Sequence, residues 1–350
     1  MLHDLLGTAT CYNLEMQALT DYDALVAIEP PEDSRSNWRL RMLAFMAAER
    51  AKLLWLLLGL NEETLTKSPI FGDYTARDLL AHVAAWDDFY AERIEMVSTG
   101  RTGSITGVEA DERNAMLHAS HASWNLNQAL AACTSARMKL LETLAHVPDE
   151  QLHRTLQLPW DDSYPLRDWV IWRARHDAAH AEDVRAWRQE NGFTPAVGPK
   201  GLLYSALRAS RYEMEALVEL VPEGERATRK VTGAWSLKDT VGHVTDWEAY
   251  CLSCIKAGRQ LPQEFEGDGQ RWNEAHVAVR REQPWRQVWN DYHEVREQLL
   301  AILGAMSPDT LGSAMANPWG PQASPYGWCH SYLAHEREHT GHLREALLLH

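Results

Sequence analysis

Apolar residues recur every three or four positions through residues 39–60, 75–98, 108–146 and 166–190. That spacing puts them on one face of a helix, and no stretch between them alternates as a strand would. The pattern therefore predicts four long helices, the third about two turns longer than the others. Thr75 with Asp78 three residues on has the form of a capping box, with Asp in place of Glu, and so predicts where the second helix begins. Residues 147–165 and 307–326, rich in Pro and Trp, read as connections to a last helix.

The pattern then repeats. "YTARDLLAHVAAWDDFY" (74–90) aligns with "WSLKDTVGHVTDWEAYC" (235–251) at an offset of 161, with Asp78, His82, Val83 and Trp86 meeting Asp239, His243, Val244 and Trp247. "WVIWRARHDAAHAEDVR" (169–185) aligns with "WCHSYLAHEREHTGHLR" (328–344) at 159, with Asn114 on Asn273 and 136–144 on 295–303 between them. Order and spacing both hold, so the chain reads as a duplication of one unit. Ser236 and Asp239 repeat the helix start. The Gly- and Pro-bearing "ENGFTPAVGPKG" (190–201) marks the boundary. The expected organisation is an extension over 1–36, with a short helix at 14–26, then bundle one over 37–192 and bundle two over 193–350. The expected fold class is all-α, two tandem four-helix bundles.

Composition narrows the function. With 34 basic against 49 acidic residues the net charge is −15, which repels a polyanion and argues against nucleic-acid or anionic-membrane partners. No apolar run approaches the length of a membrane span, and the first residues lack a basic stretch followed by a long apolar one, so a cytoplasmic protein is expected. Five scattered cysteines argue against a disulfide scaffold.

Sixteen histidines are unusual, and only three per unit recur: His82, His176 and His180, then His243, His335 and His339. His82 shares the inward stripe of its helix with Leu79, Trp86 and Phe89. His176 and His180, four apart, share one helix face about 6 Å apart along the axis. Two imidazoles one turn apart, with a third from a facing helix, suit a divalent transition metal. Zinc, nickel, iron and copper all accept such a set, and a fourth position stays open for water or substrate. A lone histidine on an apolar face is ordinarily a hydrogen-bonded core residue. The matched repetition of His plus His-x-x-x-His is what points to ligands.

His335-Glu-Arg-Glu-His339 spells the H-E-x-x-H of zinc proteases, but the first unit has His176-Asp-Ala-Ala-His180, and Gly341 and His342 fall too early for the extended protease motif. A protease is not the expected reading. Two departures distinguish the units: Tyr74 against Trp235, and Asp183 against His342, which leaves room for the two sites to have diverged. Asp183, Glu336 and His342 are the candidates for a general base or proton shuttle. Cys251-x-x-Cys254 lacks the strand–loop–helix context of a redox motif. Trp160 and Trp319 are candidates to wall a pocket, and "EFEGDGQRWNE" (264–274) reads as a solvated crossover.

"W-S-L-K-D-T-V-G-H-V-T-D-W" and "Y-T-A-R-D-L-L-A-H-V-A-A-W", each followed later by "HDAAHAEDVRAW" or "HEREHTGHLREA", resemble the DinB-like (DinB/YfiT) superfamily in two copies over about 37–350. The resemblance implies a four-helix bundle with a long crossover, and zinc, nickel or iron held by the three histidines of each unit. It also implies a metal-dependent transferase or hydrolase that activates water or a low-molecular-weight thiol cosubstrate against a small electrophile. The rivals are a bundle that binds or sequesters a small molecule without turnover, and a purely structural bundle. A small-molecule partner is expected, in a monomer whose two units mimic a dimer, or in a homodimer.

Overall fold

The computed structural model describes residues 37–105, 107–157, 163–265, 268–315 and 324–348. The short helix expected at 14–26, Trp160, Trp319 and part of the 264–274 crossover lie outside them. The described residues fall into two compact units that divide between Ala216 and Leu217.

The first unit is built on α1 (Trp38–Leu57), α3 (Ala76–Ser98), α5 (Leu126–Ala145) and α7 (Leu166–Asn191). α1 packs against α5 and α7, and α3 packs against α5 and α7. Sixteen of the twenty residues of α1 are buried, including Glu49, Arg50 and Lys52. A helix covered on all sides carries polar groups only where partners meet them. Shorter elements connect these four: α2 (Glu62–Lys67), the hairpin β1 (Pro69–Phe71) with β2 (Tyr74–Thr75), α4 (Ala110–His121), α6 (Asp149–Leu152), and the antiparallel hairpin β3 (Thr155–Gln157) with β4 (Ser163–Pro165). α8 (Lys200–Glu219) contains the division between the units.

The second unit runs through β5 (Lys230–Thr232), β6 (Trp235–Ser236), α9 (Leu237–Ala257), α10 (Gly269–Arg281), α11 (Trp285–Ala305), α12 (Pro308–Gly312) and α13 (Pro325–Leu348). α9 packs on α10, α11 and α13. The fold class is the expected one, two tandem all-α bundles.

Two details differ from the periodicity reading. The expected long third helix is broken in both copies. In the first, Asn125 starts a new helix by accepting from the Gln128 amide (3.0 Å), while the Gln128 side chain accepts from the Asn125 amide (2.9 Å). In the second, Pro284 stands at the N-cap of α11 with φ −60°, and having no N–H it cannot continue α10. Apolar spacing carries across both breaks, which is why periodicity alone reads straight through them. The small hairpins also went unforeseen, because strands of two or three residues are too short to show alternation.

The capping boxes form as expected. Thr75 and Asp78 cap α3, and Ser236 and Asp239 cap α9. Ser236 is buried, so Ser236→Ala is expected to cost about 1 kcal/mol, read as a lowered urea midpoint of the second unit. No loss would show that the hairpin alone sets the helix start.

Candidate metal centres

Each triad is assembled by a cap, a helix register and a hairpin. His82 lies seven residues past the Thr75 cap on α3, and His176 and His180 lie one turn apart on the facing α7. Their ring nitrogens converge: His82 Nε2 is 3.1 Å from His176 Nε2, and all three histidines offer nitrogens within 4.8 Å of one another. The second unit repeats the arrangement, with His243 Nε2 at 3.0 Å and His339 Nε2 at 3.1 Å from His335 Nε2, again within 4.8 Å as a set. All six sequence-predicted ligands are thus brought together, three and three.

Burial holds these imidazoles neutral. It pushes His82 down to about 3, with the neighbouring His180 and Arg173 adding to the effect. Burial likewise depresses His176 and His180, though Asp183 partly opposes it at His180. In the second unit burial drives His243, His335 and His339 well below the ordinary imidazole range. Neutral imidazole is the form that ligates metal.

The donor set fits a divalent ion. His335 Nε2 faces two other Nε2 atoms, and a single proton can bridge only one such pair, whereas one cation satisfies all three lone pairs. A tetrahedral site with Zn–N of about 2.0–2.1 Å would space its nitrogens about 3.3 Å apart, close to the spacings seen.

The hairpins close one side. In the first unit Phe71 stacks on His180 (5.5 Å between centroids) and Tyr74 meets His82 edge-on (5.9 Å). In the second Trp235 covers His243 (4.7 Å) and His339 (6.3 Å). On another side Trp86 lies 6.4 Å from His82 and 6.3 Å from His176, its indole N–H held by Asn114 Oδ1 at 3.0 Å. Trp247 and Asn273 repeat that bond at 3.1 Å. The Asn114–Asn273 match, noted in sequence only as alignment support, is this wall fixture. Its recurrence beside a recurrent Trp was the available signal.

Beneath the triads lies a buried ion network that sequence reading missed. Asp87 and Asp177, both fully buried, accept from Arg50 (2.9 and 3.1 Å), Arg137 and Arg173, the last at 2.5 Å from Asp87 and 2.6 Å from Asp177. In the second unit Glu248 and Glu336 take the two carboxylate places. Arg296 pairs with both, and the Tyr292 hydroxyl donates to Glu336 Oε1 (3.1 Å). The Tyr332 hydroxyl stands 3.1 Å from Glu248 Oε2.

The three candidates for proton chemistry therefore have different surroundings. Glu336, the Glu of H-E-x-x-H, is fully buried and its oxygens are engaged by Arg296 and Tyr292. Its counterpart Asp177 has the same role, so the acidic second position of both motifs belongs to the ion network. Asp183 accepts from His180 Nδ1 at 3.0 Å and so orients a triad member. The His342 ring lies 5.8 Å from that of His339, and among the described residues its Nδ1 has no hydrogen-bond partner. Cys251 and Cys254 are buried free thiols. A hydrogen bond with Cys329, then burial, pushes Cys251 up, and burial pushes Cys254 up, away from a reactive thiolate.

Among the described residues no helix is long and apolar enough to cross a membrane. Fold and sites together define a class: a duplicated helical bundle with a three-imidazole centre in each copy, partly buried in the first and buried in the second. The chain belongs to the DinB superfamily, whose family model matches residues 46–184 and 206–343, each match holding one complete triad. No curated protein and no solved structure matches the chain.

Proposed function

We propose that the protein is a divalent-metal-dependent enzyme acting on a small electrophilic molecule, with a low-molecular-weight thiol or water as nucleophile. The observation that carries this reading is the convergence of three neutral imidazoles on one point, repeated in both units and fully buried in the second. His82, His176 and His180 would hold one ion, and His243, His335 and His339 another. Zinc, nickel and iron are among the metals that suit neutral nitrogen donors. When bound, such an ion supplies Lewis acidity, lowering the pKa of a thiol or water in its open position.

The remaining roles fall to the chain itself. Trp86 and Tyr74, or Trp247 and Trp235, exclude water from two sides of the triad and offer an apolar wall to a substrate. Asp183 keeps a proton on His180 Nδ1, which leaves the opposite ring nitrogen as the donor. His342, half-buried beside His339, is placed to carry a proton between the second centre and solvent. The anionic surface suits a small-molecule substrate in the cytoplasm better than a polyanionic partner.

A second reading, retention of a small molecule without turnover, is favoured by the closure of the second triad, in which His243 is only 2% exposed and Trp235 covers it. The test is elemental analysis of untagged protein alongside His82→Ala and His243→Ala, followed by assay of thiol loss in the presence of small electrophiles. Bound metal that falls with these variants, together with metal-dependent thiol consumption, is the expected result. Bound metal without turnover would favour retention. Absence of metal after reconstitution with zinc, nickel and iron would refute both metal readings.

A further inference from the structure

The two triads differ at the residue three positions before the first His of His-x-x-x-His. In the first unit it is Arg173, in the second Tyr332. Arg173 is only 1% exposed and donates through Nη1 to His176 Nδ1 at 2.6 Å, besides pairing with Asp87 and Asp177. A guanidinium is always a donor, so His176 Nδ1 must be the acceptor in that bond. A neutral imidazole accepting at Nδ1 carries its proton on Nε2, the nitrogen that points at His82. That proton occupies the position a metal ion needs. To ligate, His176 must either break from Arg173 or give up its only ring N–H proton. The buried positive charge opposes an incoming dication as well.

In the second unit the Nδ1 atoms of His243, His335 and His339 have no hydrogen-bond partner among the described residues. The Tyr332 hydroxyl lies against Glu248 and Glu336. His335 is free to carry its proton on Nδ1 and present the Nε2 lone pair to the cluster. One feature favours metal in the first unit: Asp183 beside His180. Its side chain is 47% exposed, however, so solvent screens its charge far more than that of Arg173.

We propose that the second centre is the high-affinity metal site, and that Arg173 is the positioning residue that makes the first the weaker one. The proposal rests on the metal reading above and divides it between the two units. Tyr332 also shows how the network closes without a third guanidinium: Arg50 and Arg137 would remain to balance Asp87 and Asp177.

The experiment uses the full, untagged chain, stripped of metal and dialysed against zinc buffered over a range of free concentrations, with bound zinc read by elemental analysis. Two loading steps are expected, separated by tenfold or more in free zinc. His243→Ala should remove the tight step and His82→Ala the weak one. Arg173→Tyr should move the weak step at least tenfold toward the tight one, with circular dichroism confirming the helical content. If that variant does not fold, the two histidine variants still assign the steps. Two equal steps, or loss of the tight step with His82→Ala, would overturn the proposal. Absence of any zinc binding would instead overturn the metal reading on which it stands, and is distinguishable from both.

Discussion

Asp177→Ala should lower the stability of the first unit by about 3–5 kcal/mol, a large part of the 5–15 kcal/mol that a domain ordinarily has. Burial alone would raise the Asp177 carboxyl, but Arg137, Arg173 and Arg50 outweigh it and hold the group far below the usual carboxylate range. Without it three buried guanidiniums face Asp87 alone. The matching control is Asp88→Ala, one residue beyond Asp87. Asp88 pairs with Lys139 at 3.2 Å on the open surface, where such pairs contribute little. Urea unfolding followed by circular dichroism separates the two. Equal, small losses would show that the network is replaceable by packing.

The second large effect is acid sensitivity of the metal-free protein. His243, His335 and His339 are held neutral when folded, whereas in the unfolded chain each titrates near its ordinary value of about 6.5. Below that value the unfolded state takes up protons that the folded state refuses, so stability falls as pH falls. Three imidazoles withheld together amount to about 4 kcal/mol between pH 7.5 and pH 5.5. Above the unfolded value both states are neutral and the stability is fully present. The urea midpoint of the metal-free protein should therefore drop steeply from pH 6.5 to 5.5 and change little from 7.5 to 8.5. A midpoint flat across the lower interval would mean that the triads accept protons without unfolding.

Much of this was legible in the sequence because duplication supplies its own control. His82 and His243 sit in matched flanks, and chance does not place His-x-x-x-His twice at nearly the same distance, 94 and 92 residues on. The helix starts were legible too, because a Thr or Ser with Asp three residues on is a local device that tertiary contacts need not complete. The ion network was not. Arg50, Asp87, Arg137 and Asp177 are ordinary charged residues in helical stretches, and helical spacing alone reads them as a solvated face. Only the packing of α1 against α5 and α7 turns those side chains inward. The changed identities in the second copy, Glu248 for Asp87 and Tyr332 for Arg173, hid the correspondence further. The broken third helix escaped for the opposite reason, since its apolar rhythm continues across Asn125 and across Pro284.

The exchanges in that network move together, and this bears on how the gene can change. A longer acid, Glu248 or Glu336, accompanies the shorter reach of a tyrosine hydroxyl, and a shorter acid, Asp87 or Asp177, accompanies the longer reach of Arg173. Each half has become a matched set. Gene conversion that copied the last helix of one half into the other would join Tyr332 to Asp87, or Arg173 to Glu248, and mismatch the reach of donor and acceptor. Such mismatches oppose homogenisation of the two halves, so each can follow its own course inside a single chain.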